Sequence, residues 1–335
     1  MQAKAGQVHN QKKPLGPRMA KYWQFYLLFI PVLAFVIVFH YLPMYGIIYS
    51  FTEYKIGGTP IFCGLDQFKK LFGIVGADAT AVEIKLAQTK SAAFMLAFKN
   101  TIVYSVVKLL LNTGFAVIIS IFLNEMISTK FKKITQTIIY LPHFMSWVVT
   151  ASVFTMILSV GQEGLINQML LGIGATDKAI NFLGQESSWT TWYYIINVWR
   201  ETGWQTIIFM ATLTGIDPGL YEAASMDGAG RWKKMRFVTL PALGNTIITV
   251  LILNLAKIMN LFESVFVLQN ASVQRTTNVL QTYVYYQAFN SGSAGDFGYS
   301  TAVGLFRSLV GLLLMLICNY ASKKVRGRGL SCWRN

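Results

Sequence analysis

Six ionisable side chains, Lys108, Arg200, Glu201, Lys257, Glu263 and Arg307, stand inside long apolar stretches of this 335-residue chain. Placing such a group in a bilayer core costs roughly 2.5–3.5 kcal/mol, so it marks a pathway or a partner rather than filler. At roughly 100° per residue, Tyr193, Tyr194, Asn197, Arg200, Glu201 and Trp204 fall within a stripe of about 120°. Elsewhere Ser105, Lys108 and Asn112 line up, and Lys257, Asn260 and Ser264 share a face with Asn254 at its edge. Thr301, Gly304, Ser308 and Gly311 align beside Arg307. Aromatic rings pack on the C–H face of a pyranose while amides and charges bond its hydroxyls. The candidate lining of a water-filled path is therefore Arg200, Asn197, Trp204, Tyr193, Tyr194, Lys257, Asn254 and Arg307.

The same residues admit a second reading. Arg200 with Glu263, or Lys257 with Glu201, can be interhelical ion pairs, and Gly304, Ser308 and Gly311 can serve close helix packing. Lys108 can snorkel toward the outer face. Four intramembrane cations against two carboxylates favour an acidic saccharide, such as a uronic-acid oligomer, unless a partner supplies balancing acids.

Hydrolytic and metal chemistry find no support. His9, His40 and His143 lie far apart, the last two near span ends where they read as interfacial, and no H-E-x-x-H or G-x-S-x-G occurs. Cys63, Cys318 and Cys332 are scattered and odd in number, giving neither a disulfide framework nor a metal site. No G-x-x-x-x-G-K-[ST] is present, so the chain holds no nucleotide by a P-loop.

The elements that must position these residues are membrane spans. The chain is 54% hydrophobic and 13% charged, against about 25% charged in a soluble domain. Runs long enough for the roughly 20 residues of a crossing predict six spans at about 22–49, 101–123, 136–158, 189–214, 245–268 and 299–321. The first run is too long for a signal-peptide core and has no cleavage site after it, so it reads as an uncleaved span. The stretch before the second span, "EIKLAQTKSAAFMLAFKN", has helical spacing and reads as lying along the outer interface. The formal charge of +15 suggests nucleic acid only until its distribution is seen. Basic residues gather before span 1, after span 2, within 231–236 and after span 6, all on one side of a six-span chain. The positive-inside rule makes that side the cytoplasm and places both termini there. Residues 1–21 and 326–335 read as cytoplasmic tails flanking one membrane domain, 22–325.

One connector is not apolar: "GIDPGLYEAASMDGAGRWKKMRFVTLP", within which 217–241 forms a cytoplasmic loop. Asp217 caps a helix with Pro218 in its first turn, and Gly228 stops it. A second basic piece then runs to Pro241, where span 5 is expected to begin. The first helix presents Leu220, Ala223 and Ala224 beside Glu222 and Asp227. Composition alone fits both a small knob for a groove on another protein and a connector resting on headgroups.

The spacing of Glu222, Ala223, Ala224, Gly228, Val238, Leu240 and Pro241 resembles the signature loop of ABC-importer permeases, with Val238 where Ile is more usual. "LPHFMSWVV" and "TAVGLF" extend the likeness to the oligo- and polysaccharide branch, akin to the maltose and alginate systems. The resemblance implies an all-α, six-span type I permease fold in a bacterial inner membrane. It implies a heterodimer with a second, related permease, two ATPase copies on the cytoplasmic side and an extracytoplasmic solute-binding protein above. It implies that Leu220, Glu222, Ala223, Ala224, Asp227 and Gly228 couple ATP hydrolysis to alternating access, with no cofactor on this chain and ATP and Mg on the ATPase. The competing class is a secondary, ion-coupled transporter without an ATPase. That class is expected to show two related halves with broken helices, and the sequence shows no such pairing.

Overall fold

Uninterrupted apolar runs leave backbone N–H and C=O groups no partner in lipid but each other, so the chain turns helical. The computed structural model describes residues 21–54, 58–76, 79–161, 164–255, 258–289 and 295–326, with side chains as far as 320. The tails therefore lie outside the described residues except for Lys21 and Arg326, and so does Lys257. The chain opens with α1 (Trp23–Phe51). A two-residue antiparallel pair follows, β1 (Thr52–Glu53) with β2 (Ile61–Phe62), and then α2 (Asp66–Leu71). Next come α3 (Ala81–Glu125), α4 (Thr129–Phe144), α5 (Trp147–Ile157), the short α6 (Leu165–Gly172) and α7 (Glu186–Thr214). The C-terminal half holds α8 (Pro218–Met226), α9 (Arg231–Leu255), α10 (Phe262–Leu268), α11 (Gln274–Thr277), α12 (Leu280–Phe289) and α13 (Phe297–Arg326).

Among the described residues, α1, α3, α9 and α13 are long and apolar enough to cross a bilayer, and α4 with α5 makes a fifth if a bent pair counts as one. The expected fourth span, α7, has the length at 29 residues but is too polar to join them. Its place is central instead: Trp189, Tyr193, Ile196, Asn197, Thr206 and Phe209 are all at most 1% exposed.

Four expectations need correction. The interfacial helix and the second span are one helix, α3, because no Gly or Pro interrupts residues 81–113. At 45 residues it is about 68 Å long, over twice the hydrocarbon thickness. The third span is broken: Met145 is extended, Ser146 caps α5 through the Val149 N–H (3.2 Å), and the two helices meet at 101°. The fifth span starts at Arg231, not Pro241, and is helical as far as Leu255, where the described stretch ends. The connectors around 161–188 and 270–298, expected to be loops on the outer side, contain α6, α11 and α12.

Pro241 is tolerated inside α9 by one device. An interior proline removes an i→i−4 bond and its ring clashes with the carbonyl four residues back. Here the preceding turn, Met235–Thr239, is widened so that the Leu240 N–H closes on the Met235 carbonyl, five residues back. The same arrangement precedes Pro43 in α1, where the Leu42 N–H reaches the Ile37 carbonyl.

Three apolar clusters hold the bundle, and α3 contributes to each. Tyr104 packs with Trp189, Tyr193 and Val265; Ala116 and Leu123 pack with Phe209 and Leu243; Phe94 packs with Leu71, Tyr283 and Tyr299. By contrast no residue of Trp23–Val36 is buried by the described residues.

Gly203 lets α7 approach α4 closely, since a Cβ there would run into the Ile139 carbonyl. Gly203→Ala is expected to destabilise the purified chain by about 1–3 kcal/mol, the usual cost of overpacking. Gly114→Ala, with open space around its Cβ, serves as the control. Thermal unfolding in detergent checks the pair, and equal melting of both variants would contradict the close approach.

Candidate functional site

A helix that breaks inside a membrane domain strands carbonyls that must find donors. At the break between α4 and α5, the Arg200 guanidinium donates from Nε (3.2 Å) and Nη2 (2.8 Å) to the Met145 carbonyl. It lies over the Trp147 ring at 4.5 Å and bonds the Glu201 carboxylate through Nη1. The other Glu201 oxygen is 3.3 Å from His143 Nδ1, and His143 stacks on Trp204 at 5.0 Å. His143, expected at the interface, is thus engaged inside the bundle.

The gap between α9 and α10 is served in the same way. Gln281 accepts from the Leu261 and Phe262 N–H groups (2.6 and 2.8 Å) and donates to Asn260 at 2.9 Å. The Ser105 hydroxyl donates to the Ile258 carbonyl, and Arg307 donates to the Met259 carbonyl at 3.4 Å. Further along, Asn100 donates to the carbonyls of Thr276 (2.7 Å) and Asn278 (3.0 Å).

Between the two breaks lie two adjoining cavities. One, of about 200 Å³, is lined by Ser105, Lys108, Leu109, Asn112, Glu201, Gln205, Asn254, Ile258, Asn260 and Leu261. The other, of about 440 Å³, is lined by Lys108, Trp147, Asn260, Leu261, Phe262, Glu263, Ser264 and Gln281, and falls within the roughly 300–1,000 Å³ of ligand sites. Lys108, Asn260 and Leu261 belong to both. The Lys108 ammonium stands 5.9 Å above the Trp147 ring, so it faces inward instead of snorkelling out. Asn112 is 2% exposed and its Oδ1 has no hydrogen-bond partner among the described residues, leaving an acceptor at the cavity wall.

Of the eight path candidates, Asn254 is the one among the described residues that lines either of these two cavities. Tyr193 is buried, bonded to Ser264 at 3.1 Å and stacked on Trp189, and Tyr194 packs edge-on against Tyr104. Asn197 is fully buried and donates to the Tyr193 carbonyl at 2.7 Å. Arg200 and Arg307 serve the breaks, Trp204 stacks on His143, and Lys257 lies outside the described residues. Arg200 pairs with its neighbour Glu201, not with Glu263. The aligned faces Ser105–Lys108–Asn112 and Asn260–Ser264 supply much of the wall, whereas Trp147, Gln205 and Gln281 carried no spacing signal.

The second site is the connector between α7 and α9. Asp217 accepts from the Gly219 N–H at 2.9 Å at the start of α8. Its end is closed by two bonds, Gly228 N–H to the Ser225 carbonyl (3.0 Å) and Ala229 N–H to the Ala224 carbonyl (2.9 Å). Gly228 has φ +72°, the left-handed conformation that favours glycine, with open space where a Cβ would stand. Tyr221 bonds Thr239 at 3.0 Å and Lys234 bonds Ser225 at 2.6 Å, fastening α8 to α9. Leu220, Glu222, Ala223 and Asp227 remain exposed, with Met226 at 89%.

Residues 116–327 match the family described as "Binding-protein-dependent transport system inner membrane component". The polygalacturonan/rhamnogalacturonan transport system permease protein YteP of Bacillus subtilis (strain 168) is 36% identical over 322 residues, covering 96% of this chain and 94% of that one. The trehalose/maltose transport system permease protein MalF of Thermococcus litoralis is 25% identical over 294 residues, covering 87% and 91%. Among solved structures, a bacterial ABC transporter involved in the import of the acidic polysaccharide alginate has a chain that aligns with TM-score 0.77 at 30% identity, covering 93% of this chain and 99% of that one. With a family match across most of its length and a relative this similar from end to end, the chain belongs to the binding-protein-dependent transport system inner membrane components, the permease subunits of ABC importers.

Proposed function

We propose that this chain forms one half of the path through which an ATP-driven, binding-protein-dependent importer moves oligosaccharides inward by alternating access, acidic ones foremost. The observation that carries the reading is α9. One helix, described over 25 residues and about 38 Å, begins beside the exposed knob of α8 and carries Asn254 to the cavity wall. A push on α8 therefore reaches the cavity along a single rod, through the Tyr221–Thr239 and Lys234–Ser225 fastenings. On a reading of six spans with both termini cytoplasmic, α8 faces the side where ATPase chains bind, with ATP and Mg held there. The relatives named for polygalacturonan and alginate import support an acidic saccharide. So does Lys108 at the junction of the cavities, among amides and the Trp147 ring suited to sugar hydroxyls and C–H faces. A second permease covers the unburied face of α1, and a solute-binding protein delivers the sugar from the opposite side. No observation favours the ion-coupled carrier.

Two outcomes follow for the complete complex in proteoliposomes. Replacing Lys108 by Met is expected to lower the uptake of a uronate oligomer relative to a neutral one of equal length by about tenfold, the scale of one charge-assisted contact (about 1.5 kcal/mol). Equal loss for both sugars would refute charge reading by Lys108. In the coupling stretch, Gly228→Val is expected to abolish uptake, while Gly228→Asn, which tolerates φ > 0, retains most of it. The chain should still insert in both cases. Full transport by the Val variant would refute the role of the α8 stop.

A further inference from the structure

The Arg200–Glu201 pair does more than close an ion pair. One turn of α7, carrying Arg200, Glu201 and Trp204, touches the broken span before its break at His143, on it at Met145 and beyond it at Trp147. Glu201 is also part of the cavity wall. A carboxylate offers about four lone-pair sites; Arg200 takes one on one oxygen, and the other oxygen lies 3.3 Å from His143 Nδ1, which makes no hydrogen bond among the described residues. The remaining sites are open to a hydroxyl donor in the cavity. Any movement of Glu201 toward such a donor is felt by the guanidinium that holds Met145.

We infer that Arg200 and Glu201 are positioning residues that link the contents of the cavity to the angle between α4 and α5. A saccharide hydroxyl bonding Glu201 draws the carboxylate from the Arg200 guanidinium and loosens the hold on the Met145 carbonyl, and the broken span changes its angle in response. The inference rests on the cavity being part of the sugar's route.

The test uses the complete complex in proteoliposomes, with spin labels on the exposed Ile138 and Met156 on either side of the break and a short oligogalacturonate presented on the binding protein. In the unmodified protein the sugar shifts the label separation. Glu201→Gln is expected to abolish that shift. Arg200→Met is expected to broaden the separation without sugar and to raise the ATP hydrolysed per sugar imported by fivefold or more, roughly the lower bound of an allosteric coupling. Arg200→Lys, which keeps the charge but not the planar fork, falls between. A sugar-dependent shift that persists in Glu201→Gln overturns the inference, as does an unchanged ATP ratio in Arg200→Met. A role confined to folding would lower the yield of both variants while leaving the ratio and the shift as they were, and that result also overturns it. If the unmodified complex imports no saccharide at all, it is the proposed function that fails.

Discussion

Everything distinctive in this permease depends on satisfying backbone carbonyls where helices stop inside the bundle. A carbonyl stranded in an apolar setting costs several kcal/mol, so a break survives only where donors converge on it. The fold supplies them from neighbouring helices: α7 donates to the gap between α4 and α5, α3 and α13 donate to carbonyls in the gap after α9, and Gln281 of α12 accepts from its N–H groups. The breaks and the cavities are therefore one feature. Where the chain departs from helix, side chains cannot close-pack, and the polar groups that repair the backbone also make the remaining space hospitable to a hydroxylated ligand.

This division of labour explains why the intramembrane cations are not equivalent. Arg200 and Arg307 spend donors on carbonyls, a task for which a rigid fork of N–H groups is suited. Lys108, a compact charge on a flexible stem, lines both cavities. Net charge summed along the spans is thus a poor guide to what a ligand meets, since the carboxylate of Glu201 is shared between Arg200, His143 and the cavity wall.

The most local features were the most legible in the sequence. Asp217, Pro218 and Gly228 announced the bounds of α8 because caps and left-handed stops act through the nearest few residues. The aligned faces of α3 and of the stretch after α9 were visible as helical spacing, and they do line the cavities. The breaks were not, because hydropathy sums over a window and cannot distinguish a straight span from two helices meeting at 101°. Once Met145 and Met259 leave the helix, the polar stripe on α7 changes meaning: Arg200 turns to a carbonyl, and Asn197 and Tyr193 sink into the core. Long-range repair of this kind joins residues 55 or 48 positions apart, beyond any periodicity.

The widened turn before Pro241 bears on how the two ends of α9 are indexed to each other. Such a turn holds one residue more than the α-helical count, so closing it would rotate the downstream segment by about 100° about its own axis. Asn254 would then swing off the cavity wall while the knob on α8 stayed where it was. The pyrrolidine ring forbids that closure, because an α-helical turn would drive it into the carbonyl of Phe237. One imino acid thereby keeps the α8 end and the cavity end of the helix in phase, as a key holds a wheel to its shaft.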